Sequence, residues 1–264
     1  MRVVPPFLLA VLLGASASPA VAVERLAVGT NFSRIFEQGS DGQWRGLGVD
    51  VLRTLAARAG DTVRFQSYPW PRAQAMVERG QADILIGPYR SPARLKQFAF
   101  LDQPFYRDRL VFYARSRHDV PWAGDVGALA GRRIVSVRGW HYGTRFDQAR
   151  PLLDISEVAQ VENGLQMLVH GRVDLLATNE RNTTALIDSL RVREAVTVLC
   201  PEIGRLDGYL AFPREAAFAA ARTRYNTLFN QMVRSGELFK LGVRNGVLVP
   251  TADVGTDLGP AGCK

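Results

Sequence analysis

The chain is predicted to be an α/β protein built from two similar units, each a parallel sheet covered by helices. Three observations lead there. Short apolar or alternating segments of strand length take turns with longer segments of helical periodicity. One local phrase occurs twice, 91 residues apart, as Gly80-Gln-Ala-Asp83 and Gly171-Arg-Val-Asp174, each placed between a helix and a strand. The composition, with 47% hydrophobic and 22% charged residues among 264, supplies a core and excludes a disordered or collagen-like chain.

The first unit opens with a short apolar strand at Leu26–Gly29 and a loop over Thr30–Arg45. A helix follows Gly46, with Leu52, Leu55, Ala56 and Ala59 on one face and Gly60 as its stop. Val63–Tyr68 alternates as a strand does, and Pro69 ends it. Pro71–Arg79 is a helix opened by proline, Asp83–Ile86 a buried strand, and Leu110–Ala114 the next strand beyond a proline-bearing loop. Asp119–Ala128 is irregular.

The pattern then restarts. Strands are expected at Arg133–Val137, Glu157–Val161, Val173–Ala177, Val196–Leu199 and Tyr209–Phe212. Helices are expected at Tyr142–Arg150, Gly164–Val169 and Thr183–Leu190, then at Arg214–Arg234 and Glu237–Val243, with a loose tail from Asn245. In such sheets, clefts lie at the carboxyl ends of the strands.

Residues 1–22 read as a secretory signal peptide: Arg2, the apolar run Phe7–Leu13, and Ala20-Val21-Ala22 as a small-residue cleavage site. The run is too short to span a bilayer. No cysteine stands near the cleavage point to carry a lipid, so a soluble periplasmic protein is expected. Loss of Arg2 lowers the net charge from +8 to +7. The arginines are scattered without a dense block, which speaks against nucleic acid as a partner. Two cysteines, Cys200 and Cys263, cannot make a thiolate zinc centre; in an oxidising compartment they are able to form one disulfide.

No HExxH, GxSxG, P-loop or dinucleotide fingerprint occurs, so neither an enzyme nor a cofactor is expected.

Four phrases in order carry a family resemblance. They are VGTN at Val28–Asn31 followed by GLGVDVLRTLAARAG at Gly46–Gly60, ADILIGPYRSPARLKQFAFLDQPFY at Ala82–Tyr106, LAGRRIVSVRG at Leu129–Gly139, and GRVDLLATNE at Gly171–Glu180. Together they resemble extracellular solute-binding protein family 3, the polar amino acid-binding proteins of ABC importers. The resemblance implies a two-lobed periplasmic binding protein-like fold of type II. One lobe would be residues 23–109 plus 211–264, the other residues 110–210, with the ligand closing them. It also implies a monomer, an inner-membrane ABC permease as partner, and a small polar or anionic ligand; a sensory partner is the alternative.

Within this frame Ser91-Pro-Ala-Arg94 is similar to the family's Ser/Thr-x-x-Arg phrase, whose arginine holds the ligand carboxylate. A guanidinium gives a planar, two-pronged match to that group. Ser91 would open a short helix. Gly87 and Tyr89 would face the ligand, and Asp83 would be structural. Family members often place an aromatic that stacks on the ligand at this first strand–loop junction; Phe32 or Arg34 would take that role here, and Trp70, held between Pro69 and Pro71, would be a pocket wall.

Arg138-Gly139-Trp140 stands where the family has a short polar phrase, with Trp140 replacing a small hydroxyl residue; His141 reads as a surface residue. Asn179 occupies the position of an aspartate that pairs with the ligand's ammonium. Asn179 cannot neutralise that charge, so either Glu180 turns inward to replace it or the ligand is not an ordinary α-amino acid. Arg34, Arg72, Arg90, Arg94 and Arg138 together would make the cleft positive.

Overall fold

A computed structural model describes residues 22–250. Its elements in order are β1 (Glu24–Gly29), β2 (Glu37–Gln38), β3 (Trp44–Arg45), α1 (Leu47–Ala59), β4 (Thr62–Ser67), α2 (Trp70–Glu78), β5 (Ile84–Tyr89), α3 (Pro92–Gln97), β6 (Phe98–Phe100) and β7 (Tyr106–Arg115). There follow β8 (Arg133–Val137), α4 (Thr144–Ala149), β9 (Asp154–Val158), α5 (Val161–Val169), β10 (Leu175–Asn179), α6 (Glu180–Leu190), β11 (Val196–Val198), β12 (Gly204–Pro213), α7 (Ala219–Arg234) and α8 (Glu237–Asn245).

The main sheet runs β4-β1-β5-β12-β7-β10-β8-β9. β1 pairs parallel with β4 and β5 on one side, and β8 parallel with β10 and β9 on the other. These are the two similar units. Between them, β7 and β12 lie antiparallel to each other, from Gly204 opposite Leu110 to Gly208 opposite Tyr106. Each then continues into a different unit: β12 along β5, and β7 along β10. The two strands thus form the double crossing between the lobes. The crossing is tight at Gly208, where a Cβ would lie 1.9 Å from the ring of Tyr106, so no larger residue fits without displacing that ring.

The repeated phrase performs the same task twice. Asp83 accepts the Leu26 amide at 2.9 Å and the Arg25 guanidinium at 3.1 Å, at the start of β1. Asp174 accepts the Arg133 amide at 2.9 Å and its guanidinium at 2.8 Å, at the start of β8. Each carboxylate therefore joins the entry of its own strand to that of its parallel neighbour. These charge-assisted hydrogen bonds, chiefly those from the Arg133 side chain, hold the Asp174 carboxyl down at about 2.

A lowered carboxylate adds stability above its unfolded value near 4, and this is lost as pH falls through the folded value. Asp174→Asn is expected to cost about 1 kcal/mol at pH 7, a figure discounted for solvent around the half-exposed Arg133. The cost should shrink below about pH 4 and vanish near pH 2. Thermal unfolding against pH checks this.

Several boundaries differ from expectation. The loop over residues 30–45 carries a small hairpin of β2 and β3, in which Trp44 stacks on Phe36 at 4.5 Å. The third parallel strand of the second unit is β9 at Asp154–Val158 and not Glu157–Val161, because Val161 already opens α5. Val161, Gly164, Leu165 and Leu168 are buried at helical spacing. Helix α6 begins at Glu180 instead of Thr183, since Asn179 caps it and accepts the Asn182 amide at 2.9 Å. Helix α4 is shorter than expected: Tyr142 precedes it, buried, its hydroxyl accepting the Val137 amide at 2.9 Å.

The chain after Asn245 is packed and not loose up to residue 250: Val247 and Val249 are buried, and Arg107 donates its amide to Leu248 O. Helices α1, α7 and α8 pack on one another, with Leu52, Leu55, Tyr225, Phe229, Met232 and Leu238 in the core they share with the sheet. Residues 1–21 of the signal-like segment, and Cys263 of the expected disulfide, lie outside the described residues; Cys200 is not a free thiol.

Candidate functional site

The site lies where the ends of β1 and β5 meet the ends of β8 and β10. Short-range geometry sets its first wall. Ser91 opens α3 and its hydroxyl accepts the Arg94 amide at 3.3 Å, so the helix turn carries Arg94 back over the end of β5. Gly87 has φ +86°, and a Cβ there would come within 3.0 Å of the Tyr106 hydroxyl and 3.5 Å of Phe32; glycine lets the strand end bend toward the cavity. Tyr106 in turn donates to Gly87 O at 2.8 Å.

Phe32, Trp70, Gly87, Tyr89, Arg94, Trp140 and His141 line one inner cavity. Phe32 meets Trp70 edge-on at 5.3 Å and Trp140 at 6.0 Å, and the Arg94 guanidinium lies 5.6 Å from the Trp70 ring centre. The cavity has about 10 Å³, room for no more than one water. It adjoins a wider chamber of about 350 Å³ bordered by both tryptophans, Asn31, Ser33 and Glu37 from one lobe, and Gln160, Glu162 and Asn182 from the other.

Arg94 is 6% exposed. Its guanidinium donates to Tyr89 O at 3.0 Å and, across the cleft, to Gly139 O at 2.8 Å. Trp70 donates its indole N–H to the same Gly139 carbonyl at 3.2 Å. No carboxylate pairs with Arg94 among the described residues. Burial without a counter-ion draws its pKa down to about 10.

Beneath this cavity runs a second buried network. Tyr89 donates its hydroxyl to Asp108 at 2.6 Å. Asp108, with 1% of its side chain exposed, receives two bonds from Arg181, at 2.9 Å and 2.8 Å. Arg181 also donates to Ser33 O, and the Ser33 amide donates to Asn182 Oδ1 at 2.8 Å. The strand–loop junction of one lobe is thus held against the first turn of α6 in the other. Burial, together with its hydrogen bond to Asp108 and the nearby negative charge, pushes the Tyr89 phenol far up and keeps it a donor.

Of the residues predicted for the site, Phe32, Trp70, Gly87, Tyr89, Arg94 and Trp140 converge, with Ser91 supporting Arg94. Asn179 is buried beside them, its amide 3.5 Å from the Tyr89 hydroxyl and its oxygen used as the helix cap. The structure does not bring the rest to the inner cavity. Arg34 donates to Gly246 O, Arg138 is exposed near Glu157, and Glu180 faces Arg109 at 2.6 Å. Arg72 lies over Tyr68, and Arg90 over Tyr209 while donating to Leu101 O. The expected positive cleft does not form: of these arginines only Arg94 lines the inner cavity, while Arg34, Arg72 and Arg138 are exposed and Arg90 is held against Tyr209 and Leu101 O. His141 is corrected the other way: it lines the cavity with Nδ1 on Asp147.

The model of bacterial extracellular solute-binding proteins, family 3, matches residues 26–244. The chain belongs to this family. The family 3 protein has the two-domain, type II periplasmic binding protein-like fold. It is similar to a histidine kinase sensor domain related to periplasmic binding proteins, with TM-score 0.77 and 19% identity over 87% of this chain and 98% of that one. An ancestral arginine-binding protein bound to arginine matches with TM-score 0.72 and 17% identity, over 84% and 97%. A substrate-binding protein of an ABC uptake transporter from Streptococcus pneumoniae, bound to histidine, matches with TM-score 0.71 and 14% identity, over 86% and 94%. At these identities the likeness is one of fold. Among curated proteins, none matches this family 3 chain.

Proposed function

We propose that this family 3 protein captures a small polar, carboxylate-bearing molecule between its lobes in the periplasm and delivers it to an inner-membrane ABC importer. The observation that carries this reading is Arg94: a buried guanidinium in the cleft whose side chain bonds only backbone carbonyls. An uncompensated buried cation is costly, and an anion arriving there would offset part of that cost, less the cost of its own desolvation. A ligand carboxylate would displace the Gly139 carbonyl and accept both prongs of the guanidinium. The inner cavity admits one water at most, so the lobes would part for the carboxylate to enter among Tyr89, Gly87, Phe32, Trp70 and Trp140. The rest of the ligand would lie in the adjoining chamber, and residues 23–109 with 211–264 would then close on residues 110–210. The role is binding and not catalysis.

The expected result is saturable binding of at least one member of a panel of amino acids, hydroxy acids and dicarboxylates. It should be accompanied by a change in tryptophan fluorescence, since Trp70 and Trp140 wall the cavity. Calorimetry with no binding across the panel, together with unchanged fluorescence, would overturn the reading. A second reading, a sensory protein, is favoured by the histidine kinase sensor domain among the similar structures. Adjacent permease and ATPase genes would support import, and an adjacent sensor kinase gene would support signalling.

A further inference from the structure

Resting on that reading of the cleft, we infer that the ligand presents its carboxylate without a neighbouring ammonium group, and that Asn179 and Arg181 set this selectivity. An α-amino acid anchored on Arg94 needs an acidic group near the inner cavity for its ammonium. Each carboxylate around this cavity already serves a cation of the protein. Asp108 is taken by both prongs of Arg181, with Tyr89 as a further donor. Asp147 receives His141 Nδ1 and the Arg150 Nε, the latter at 3.0 Å. Glu180 receives Arg109 at 2.6 Å.

Asn179, buried behind the Tyr89 hydroxyl, is neutral, and its oxygen accepts the Asn182 amide. Its amide N–H₂ points at the Tyr89 hydroxyl at 3.5 Å and, being a donor, offers an ammonium nothing to pair with. The lining residues of the inner cavity contain no acid at all. A buried ammonium would therefore have no counter-ion, only backbone carbonyls such as that of Gly139, and so would be disfavoured. A hydroxyl or a hydrogen in its place meets no such cost. Both acids on the chamber wall, Glu37 and Glu162, stand in the wider outer space, where a cationic group remote from the carboxylate is still admissible.

The test is calorimetry on the mature chain with matched pairs: glutamate against 2-hydroxyglutarate, leucine against 2-hydroxyisocaproate, and arginine against its 2-hydroxy analogue. The hydroxy member of the binding pair should be favoured by about tenfold or more. Asn179→Asp keeps the helix cap and adds the missing charge, so it should reverse or abolish that preference. Tighter binding of the amino member by the wild-type protein would overturn this inference and leave the carboxylate reading intact. An unchanged ratio in the Asn179→Asp variant would overturn the assignment to Asn179. Absence of binding by every pair would overturn both readings together.

Discussion

Asp108→Ala is expected to lower the stability of this protein by about 3–5 kcal/mol, the largest effect of any single polar substitution considered. Asp108 receives two hydrogen bonds from Arg181 and one from Tyr89 in a place almost closed to water. Removing it leaves a guanidinium with 10% of its side chain exposed, without its counter-ion, and a phenol without its acceptor. For a chain of this size the loss corresponds to a fall of about 10 °C in Tm. The fall should be read from thermal unfolding at neutral pH; a change below about 2 °C would show that the pair adds little to the fold. Because Arg181 also holds Ser33 across the cleft, the variant should further loosen the contact between the lobes.

Arg94→Ala is expected to behave in the opposite way. Its guanidinium has no acidic partner, so no ion pair is lost, and the fall in Tm should be much smaller than for Asp108→Ala. Ligand affinity should drop by about 100-fold or more, the scale of a buried charge pair between protein and ligand. Arg94→Lys keeps the charge but not the planar fork, and an intermediate loss of about tenfold is expected. Calorimetry with the best-binding carboxylate measures all three proteins. Unchanged affinity in Arg94→Ala would remove the carboxylate assignment, whatever its effect on stability.

The two predictions also mark what was legible in the chain. Arg94, Ser91, Gly87 and Tyr89 lie within one short segment, and a proline-opened helix turn is enough to bring them together. The paired phrases ending in Asp83 and Asp174 were legible for the same reason: a glycine stop and an aspartate at a strand entry act locally. Asp108 and Arg181 were not, because their partnership joins a crossing strand to a helix in the other half of the sheet. One signal was present: Arg181 stands in the first turn of α6, where a cation opposes the helix dipole. A charge placed against that field points to a specific anion nearby. His141 has the sequence context of a surface residue, and nothing adjacent in sequence reveals that Asp147 holds it at the cavity. Arg34, Arg90 and Arg138 point away from the cavity, and a strand–loop junction does not determine which side of the loop a long side chain takes.

The path of β12 bears on how the molecule is made. β5 gains its second neighbour only from Gly208 onward, after β7 to β11 have been synthesised. Until then the apolar strand Ile84–Tyr89 has one open side, and helices α7 and α8 are not yet present to cover α1. An exposed strand edge of this kind invites pairing with another chain. The contiguous middle segment is free of that delay, because β8, β9 and β10 follow one another closely and complete their own pairing. The nascent polypeptide therefore carries its sticky edge at the front and its self-sufficient part behind. The edge left unpaired longest thus belongs to the segment made first.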